Sequence, residues 1–318
     1  MATAHPRASR ATDNDAIDAD LVRALQEDGR ASISELAGRL GASRDLVSQR
    51  LQWLQAHGGL RVVAALDPSV VGHTLLVHTM LDVSGPALPV AREIAGMSDA
   101  VFVSMTSGAL PVVVESRHGG VEELHASLDA MRRIPNVRRL RVSTYAEVLQ
   151  GFFVSERREE VTLDALDRAL IAELQRDGRA SYRALGDTVH LAPSSARARV
   201  RRLVDAGVIR ISALKSGGPS RSRFAIGIGI AVSGDATPVR DAILASPAID
   251  FAARSHGVFD FIATVVGTAS APLLDVIEEL RGIEQVSALE SWSHYDVIKE
   301  DYARALGRVL AVGPRAPQ

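Results

Sequence analysis

The sequence predicts an α+β protein made of two tandem repeats, each a winged or helix-turn-helix domain followed by a ferredoxin-like βαββαβ domain. Three observations lead to this prediction. The segment Asp-Gly-Arg-Ala-Ser at residues 28–32 recurs at 177–181, and the same offset of 149 residues relates Val137 to Val286, so the repeat spans each half-chain. Each half begins with three amphipathic helical patterns. Each then continues as strand, helix, strand, strand, helix, strand.

The first repeat opens with sequence signals for three short helices. Residues 17–27 form the first helical pattern. Ser32 followed by Glu35 is a capping box, which starts a second helix, and Ser43 caps a third. The apolar stripe of this third helix consists of Val47, Leu51 and Leu54. Three helices joined by tight turns are typical of a helix-turn-helix, whose last helix enters the DNA major groove.

The second repeat has the same three helices, and its third helix is more basic. Residues 163–211 hold nine arginines against six acids, whereas 222–298 hold four arginines against ten acids, so charge is segregated by domain. Pro193 takes the first-turn position of the third helix, where a missing N–H costs nothing. The apolar stripe consists of Ala196, Val200 and Leu203. The outward positions carry about +4, against about +1 in the first repeat, so the two third helices are not equivalent.

A short β-branched strand or wing at 61–66 leads from the first helix-turn-helix into the βαββαβ part. The predicted elements that follow are 75–83, 89–97, 100–106, 110–116, 121–133 and 140–148 in the first repeat and 224–232, 239–245, 249–255, 259–266, 273–281 and 288–297 in the second. This order predicts an antiparallel sheet with both helices on one face.

The repeat and the composition together set the domain boundaries. The predicted regions are a disordered tail at 1–15, a helix-turn-helix domain at 16–66, a ferredoxin-like domain at 72–150, a linker at 151–162, a second helix-turn-helix domain at 163–214, a second ferredoxin-like domain at 222–303 and a tail at 304–318.

The composition excludes several classes of protein. The chain has no cysteine, which rules out disulfides, thiolate metal sites and a cysteine nucleophile. The nine histidines show no ligand spacing, so we expect no metal. We also expect no cofactor and no catalytic residue. Residues 1–13 lack the apolar core of a secretory signal or a membrane span. We therefore expect a cytoplasmic protein that does not interact with membranes.

The segment Leu-x-x-x-Leu-Gln-x-Asp-Gly-Arg-Ala-Ser, followed by a strand and a βαββαβ pattern, resembles the Lrp/AsnC family of transcriptional regulators, over 17–150 and again over 163–303. The run Gly257-Val258-Phe259-Asp260-Phe261 is similar to the Gly-x-x-Asp turn of that family's effector-binding (RAM) domain. The equivalent turn in the first repeat ends in Pro111 and lacks the acid.

The resemblance implies a regulator that binds double-stranded DNA and responds to an amino-acid-like effector. The effector residues would be Gly257, Phe259 and Asp260, with the carboxylate of Asp260 taking the ligand's ammonium. Most members carry one copy of this architecture and assemble as dimers or higher rings. This chain fuses two copies, so we expect pairing within the chain, or between chains to give a homodimer or tetramer.

The candidate DNA contacts lie on the two third helices. In the second repeat they are Ser194, Ser195, Arg197, Arg199, Arg201 and Arg202, and in the first they are Arg44, Ser48 and Gln49. Arginines on an exposed helix are most often only a solvated face. Arg199 and its equivalent Arg50 have a second reading, since each could pair with an acid in its own domain. Whether the first helix-turn-helix contacts DNA stays open.

Other candidate residues also have structural alternatives. Gly257 and Asp260 could serve the hairpin alone, the glycine by its positive φ and the aspartate as a cap. Trp53, Trp292 and Phe259 are expected in the core or an interface.

The alternative function is an enzyme like the sirohaem decarboxylases, which share the tandem fold. Such an enzyme would need histidine, arginine and tyrosine on the second and third strands of the sandwich. The second strand of the second repeat offers only Arg254 and His256, and that of the first repeat offers none. The sequence therefore favours the regulator.

Overall fold

The computed structural model describes residues 17–18, 20–151, 162–215 and 224–300. Both predicted tails and most of the predicted linker lie outside these residues. The described residues divide into two compact units. The helical unit comprises those up to Leu66 together with 162–215, and the barrel unit comprises 67–151 together with 224–300. Each repeat contributes one part to each unit.

The helices are α1 (20–27, with 17–18 also helical), α2 (Ile33–Leu40), α3 (Arg44–His57), α4 (Leu88–Ala95), α5 (Val121–Arg133), α6 (Ala165–Arg176), α7 (Tyr182–Val189), α8 (Pro193–Asp205), α9 (Thr237–Ala245) and α10 (Ser270–Arg281). The strands are β1 (Leu60–Leu66), β2 (Leu75–Val83), β3 (Ala100–Thr106), β4 (Val112–His118), β5 (Val137–Gln150), β6 (Ile209–Lys215), β7 (Phe224–Val232), β8 (Ile249–Gly257), β9 (Phe261–Gly267) and β10 (Val286–Glu300). A short 3-10 helix, Pro68–Val71, follows β1. No helix among the described residues is long and apolar enough to span a membrane.

The helix starts follow the predicted capping signals. The Ser32 hydroxyl accepts from the amide of Glu35 at 3.2 Å, and the Glu35 carboxylate accepts from the amide of Ser32 at 2.7 Å, which completes the capping box. Ser43 caps α3 by accepting from the Leu46 amide at 3.2 Å. Pro193 begins α8 as predicted. These predictions are confirmed because caps depend on contacts within one turn of the chain.

In the helical unit, β1 and β6 pair as an antiparallel ribbon. Val63 lies opposite Ser212, and these two residues are equivalent under the 149-residue offset. The ribbon therefore has a local two-fold axis at this pair, which relates the three helices of one repeat to those of the other.

In the barrel unit, the two βαββαβ sheets join edge to edge. The strand order β10-β3-β4-β2-β5-β8-β9-β7 closes into an antiparallel barrel. The two joints are equivalent, since Tyr145 faces Ser255 across β5–β8 and His294 faces Thr106 across β10–β3. The sequence predicted each sheet but not their closure, which removes four exposed strand edges from solvent.

Each sheet has a helical side and a barrel side. Helices α4 and α5 pack on the first sheet through residues such as Ile94 and Leu128, and α9 and α10 cover the second through residues such as Ile243 and Leu273. The opposite faces form a separate cluster, which consists of Met80, Leu110, Val113, Phe259, Ile262 and Trp292. The placement of both helices on one face is thus confirmed.

Several strand bounds differ from the predictions for a physical reason. Strands β5 and β10 exceed the predicted 140–148 and 288–297 because each also pairs with a strand of the other repeat. Strand β4 begins after Pro111, which has no amide hydrogen for a ladder. Strand β9 begins at Phe261, so the turn that precedes it includes Phe259 and Asp260. Helix α4 begins and ends slightly before the predicted 89–97.

Candidate nucleic-acid interface

The two copies of the Asp-Gly-Arg-Ala-Ser segment lie against each other in the helical unit. Arg30 donates from Nη1 to the carbonyl of Gly178 at 2.7 Å and from Nη2 to that of Ala180 at 2.9 Å. Arg179 makes the equivalent bonds to the first repeat, at 2.7 and 3.0 Å. We call this set the arginine clamp; it comprises Arg30, Arg179 and the carbonyls of Gly29, Ala31, Gly178 and Ala180. The clamp ties the two helix-turn-helix parts together.

Glycine is required at the centre of the clamp. A Cβ on Gly29 would lie 2.7 Å from the carbonyl oxygen of Ile211, and a Cβ on Gly178 would lie 3.0 Å from that of Val62. Both glycine amides donate to these same oxygens, at 3.1 and 2.8 Å. Burial and the nearby charge of Arg30 lower the pKa of Arg179. The clamp was not predicted from the sequence, although the segment that is identical in both repeats carries its residues.

Helix α8 places its predicted DNA contacts in two groups. Ser194, Ser195, Arg197 and Arg201 are exposed. Arg199 instead donates to Asp164 at 2.7 Å and to Asp167 at 2.9 Å. Arg202 donates to Asp167 at 2.5 Å, and the Asp167 side chain is 1% exposed. Two of the four arginines therefore anchor α8 to α6.

The anchor is a network of ion pairs, and the pKa shifts of its members agree with that pairing. The amide of Asp167 and the guanidinium of Arg199 both lower the pKa of Asp164. The pKa of Arg199 is raised by the hydrogen bonds that Arg199 donates to Asp164 and Asp167. In the first repeat, Arg50 binds Asp18 through two bonds of 2.8 and 2.6 Å. The alternative in which Arg199 and Arg50 each pair with an acid of their own domain is confirmed.

Arg197 and Arg201 have weaker partners. The Arg197 guanidinium lies 5.8 Å from the ring centre of Tyr182, and Arg30 lies 4.4 Å from the same ring. Tyr182 thus lies between the clamp and α8, a position that was not predicted from the sequence. Arg201 faces Asp205 at 3.6 Å, but both side chains are exposed, at 77 and 68%. Such exposed pairs contribute little and leave the guanidinium accessible to a phosphate or a base.

Helix α3 has a more polar and less basic outer face. Arg44 and Gln49 are exposed and Ser48 is half-buried. Trp53 is 45% exposed, so its expected place in the core is wrong, and a place in an interface stays a prediction. Its ring stacks on His57 at 5.8 Å, and the Arg50 guanidinium lies 4.6 Å from its centre. The Arg50–Asp18 pair holds this guanidinium in place, and the indole covers it from solvent.

The 257–260 turn of the barrel unit is held by its neighbours. Gly257 has φ +127°, and a Cβ there would lie 2.6 Å from the carbonyl oxygen of Val142. Asp260 is exposed, and its Oδ2 accepts from the amide of Val232 at 2.7 Å. Phe259 is 5% exposed and packs on Trp292 with ring centres 6.1 Å apart. The expected burial of Phe259 and Trp292 is confirmed, and the Asp260 carboxylate caps β7.

A polar cluster inside the barrel, in which His78 is buried and Tyr145 and Glu115 are half-buried, was not anticipated. The Tyr145 hydroxyl donates to Glu115 at 2.8 Å and lies 3.3 Å from Nδ1 of His78. Burial lowers the pKa of His78 to about 3 and that of His294 to about 4, so both rings are neutral at pH 7. No group of three or more metal-ligating side chains occurs among the described residues.

Comparison with known proteins identifies relatives of this chain. The AsnC-type helix-turn-helix domain matches it twice, at residues 15–55 and 163–204. The transcriptional regulator LrpA of Mycobacterium tuberculosis is 33% identical over 45% of this chain and 94% of its own length. The transcriptional regulator FL11 of Pyrococcus horikoshii is 30% identical over 39% of this chain and 83% of its own length. A solved structure, the siroheme decarboxylase NirDL, shares the fold over 93% of this chain and 98% of its own, with a TM-score of 0.60 and 13% identity.

Proposed function

The chain belongs to the Lrp/AsnC family of helix-turn-helix transcriptional regulators, in a tandem-duplicated form, and we propose that α8 is its principal DNA-reading helix. DNA-binding regulation of transcription is thus the function of the chain, as the resemblance implied. What this leaves open is which side chains read the DNA and what signal the protein receives.

The observation that carries the α8 proposal is the division of its arginines. Arg199 and Arg202 are bound to Asp167, which fixes the orientation of α8. Arg197 and Arg201 stay exposed on the same helix, next to the hydroxyls of Ser194 and Ser195. Arginine forms a bidentate pair of hydrogen bonds with guanine and also binds phosphate, while serine hydroxyls bind either base edges or phosphates. We therefore assign Arg197 and Arg201 to base contacts and the two serines to positioning contacts at the helix start.

Fluorescence anisotropy with an operator selected from random duplex DNA tests this assignment. Replacing Arg197 and Arg201 with alanine removes two contacts of ~1–3 kcal/mol each, so affinity should fall at least ~30-fold. Arg44→Ala on α3 should have a smaller effect, since this helix carries less positive charge. Arg176→Ala is the matched control, because Arg176 lies on α6 and pairs only with Glu173 at 3.1 Å among the described contacts. Equal losses from α3 and α8 would contradict the proposal.

For the signal, we propose an amino-acid-like effector at the 257–260 turn. Support comes from the family resemblance and from the exposed carboxylate of Asp260, whose Oδ2 already accepts from Val232. A bound ammonium would be met by the remaining oxygen, with Gly257 and Phe259 shaping the turn. The first repeat has Pro111 in place of the acid, so only the second repeat would bind this ligand.

We infer that the chain is a regulator and not a decarboxylase. The matched relatives are transcriptional regulators, whereas the likeness to the decarboxylase extends to the fold alone. Two titrations distinguish the functions. When the protein is added to an iron tetrapyrrole, the absorption spectrum of the tetrapyrrole should stay unchanged. When the protein is added to the selected operator, it should bind the DNA. A shifted tetrapyrrole spectrum together with a failure to bind DNA would favour the enzyme.

We also propose that chains associate as a homodimer or tetramer. The strand edges of both sheets are paired within one chain, so association would use other surfaces. Exposed apolar side chains occur on the outer helices, such as Val121 at 56% and Leu274 at 56%. Light scattering at micromolar concentration should give a multiple of 33.9 kDa, and a strict monomer would contradict the proposal.

A further inference from the structure

The helical unit presents two third helices from one chain around a local two-fold axis. Val63 and Ser212, which are equivalent, face each other in the β1–β6 ribbon. The arginine clamp repeats the same symmetry with bond lengths that agree within 0.1 Å. The backbone of the unit is therefore symmetric in the way that a dimeric helix-turn-helix protein is symmetric. Such proteins bind two half-sites that lie one or more helical turns apart.

The side chains on the two third helices do not follow this symmetry. The 149-residue offset relates Ser48 to Arg197. It also relates Gln49 to Ala198 and Gln52 to Arg201. Every one of these side chains is exposed except the half-buried Ser48. The two helices thus offer different hydrogen-bonding groups at equivalent positions of a symmetric frame.

These groups prefer different bases. Arginine forms a bidentate pair with O6 and N7 of guanine, and glutamine forms one with N6 and N7 of adenine. The anchoring pairs are equivalent in both repeats, since Arg50 binds Asp18 as Arg199 binds Asp167. Each third helix is therefore anchored to the first helix of its own repeat by an arginine–aspartate pair at equivalent positions, and α8 has a second anchor in Arg202.

We propose that the chain reads a non-palindromic operator, with guanines in the half-site under α8 and adenine in the half-site under α3. This inference rests on the proposed function, because it requires that α8 binds DNA. It goes further, since it gives α3 a half-site of its own and states the base preference of each half-site. A homodimer of a single-copy protein would instead select a palindrome, because its two helices are identical.

In vitro selection from random duplexes with the full chain tests the inference. The expected motif has two unlike half-sites spaced by ~10 base pairs or a multiple of that distance. In anisotropy titrations at one salt concentration, the selected operator should bind at least ~10-fold more tightly than a palindrome made from either half-site, because mismatched base pairs weaken binding by that order.

Exchanging the reading side chains assigns each half-site to its helix. The triple variant S48R/Q49A/Q52R gives α3 the two base-reading arginines of α8 and its Ala198, and its selected motif should become a palindrome of the guanine half-site. The reverse variant R197S/A198Q/R201Q should select a palindrome of the adenine half-site. Circular dichroism spectra that match the wild type would show that both variants fold. Arg176→Ala should select the wild-type motif.

The outcomes separate this inference from the function on which it rests. A palindrome, or a single half-site, selected by the wild-type chain would overturn the non-palindromic operator while leaving DNA binding by α8 intact. No enrichment of any sequence would overturn the proposed function itself. If the two half-sites differ from each other but stay unchanged in both exchange variants, the assignment of one half-site to α3 and the other to α8 would be overturned.

Discussion

Loss of one clamp arginine should loosen the contact between the two helix-turn-helix parts by an amount that the structure allows us to work out. Arg30→Ala removes two hydrogen bonds, at 2.7 and 2.9 Å, from a guanidinium to part-buried carbonyls. Hydrogen bonds to charged groups contribute about 1.5 kcal/mol each at the lower end of their range, so the loss is about 3 kcal/mol. Because ~1.4 kcal/mol corresponds to a factor of ten, the contact should open ~100-fold more often.

Hydrogen exchange measured by mass spectrometry reports this opening directly. The amides of Gly29 and Gly178 donate across the contact to Ile211 and Val62, so they are protected only while it is closed. In Arg30→Ala, peptides that contain these glycines should exchange ~100-fold faster, while barrel peptides keep their wild-type rates. Arg30→Lys keeps the charge but loses the forked geometry, so it should recover little of the protection.

Arg176→Ala provides the matched control for this measurement. Arg176 is 75% exposed and pairs with Glu173 on its own helix, so its loss should change protection by less than ~0.5 kcal/mol. Unchanged exchange at Gly29 and Gly178 in Arg30→Ala would refute the clamp as a stabilising contact. Equal effects of Arg30→Ala and Arg176→Ala would show that the helical unit responds to any lost charge.

Three further predictions concern the barrel, its histidines and the 257–260 turn. Gly227→Ala would place a Cβ 2.1 Å from Nε1 of Trp292, so urea denaturation should show a free energy of unfolding lower by ~1–3 kcal/mol and a shifted tryptophan emission. In the control Gly38→Ala, in α2, the new Cβ meets nothing within 4 Å, so the free energy of unfolding should rise by up to ~1 kcal/mol. Because burial lowers the pKa of His78 to about 3 and of His294 to about 4, the unfolded chain takes up protons below pH ~6.5 that the folded chain refuses. The contribution of these two histidines to stability should therefore be complete above pH ~6.5 and be lost as the pH drops toward 4. If His78→Gln shows the same dependence of the free energy of unfolding on pH as the wild type, this cause is contradicted. In a thermal-shift screen of the twenty amino acids, at least one should raise the wild-type melting temperature but not that of Asp260→Asn, and an identical response would leave Asp260 as a cap alone.

The parts of the fold that the sequence predicted are those that depend on near neighbours in the chain. The capping box at Ser32 and the stripes of α3 and α8 are set within a few residues, so periodicity and capping rules were sufficient. The arginine clamp joins residues 148 and 150 positions apart, and no local pattern encodes such a contact. The closure of the barrel likewise depends on pairs of strands that are far apart in the chain, β5 with β8 and β10 with β3. For both features the sequence signal is the repeat itself.

The sequence predicted which helix carries the arginines more accurately than it predicted the role of each arginine. The arginine-rich helix was recognised and Arg199 was given a structural alternative, but Arg202 was not separated from the two exposed arginines. The structure separates the arginines of this helix because Asp167 lies buried beneath α8 and takes two of them. A buried carboxylate must be paired, so it selects its partners before any DNA arrives. The position of Asp167 in the first helix was visible in the sequence, but its distance from α8 was not.

The duplication explains why some equivalent residues stay identical and others diverge. Gly29 and Gly178 each face the other repeat, so a change in either copy breaks a contact that both copies share. The outward residues of α3 and α8 face no equivalent partner, so Ser48 and Arg197 are free to differ at one position of the same frame. A protein made of two identical chains cannot separate these two requirements, because every substitution appears in both copies at once. Fusion removes that restriction, and the consequence expected here is a symmetric scaffold that reads an asymmetric sequence.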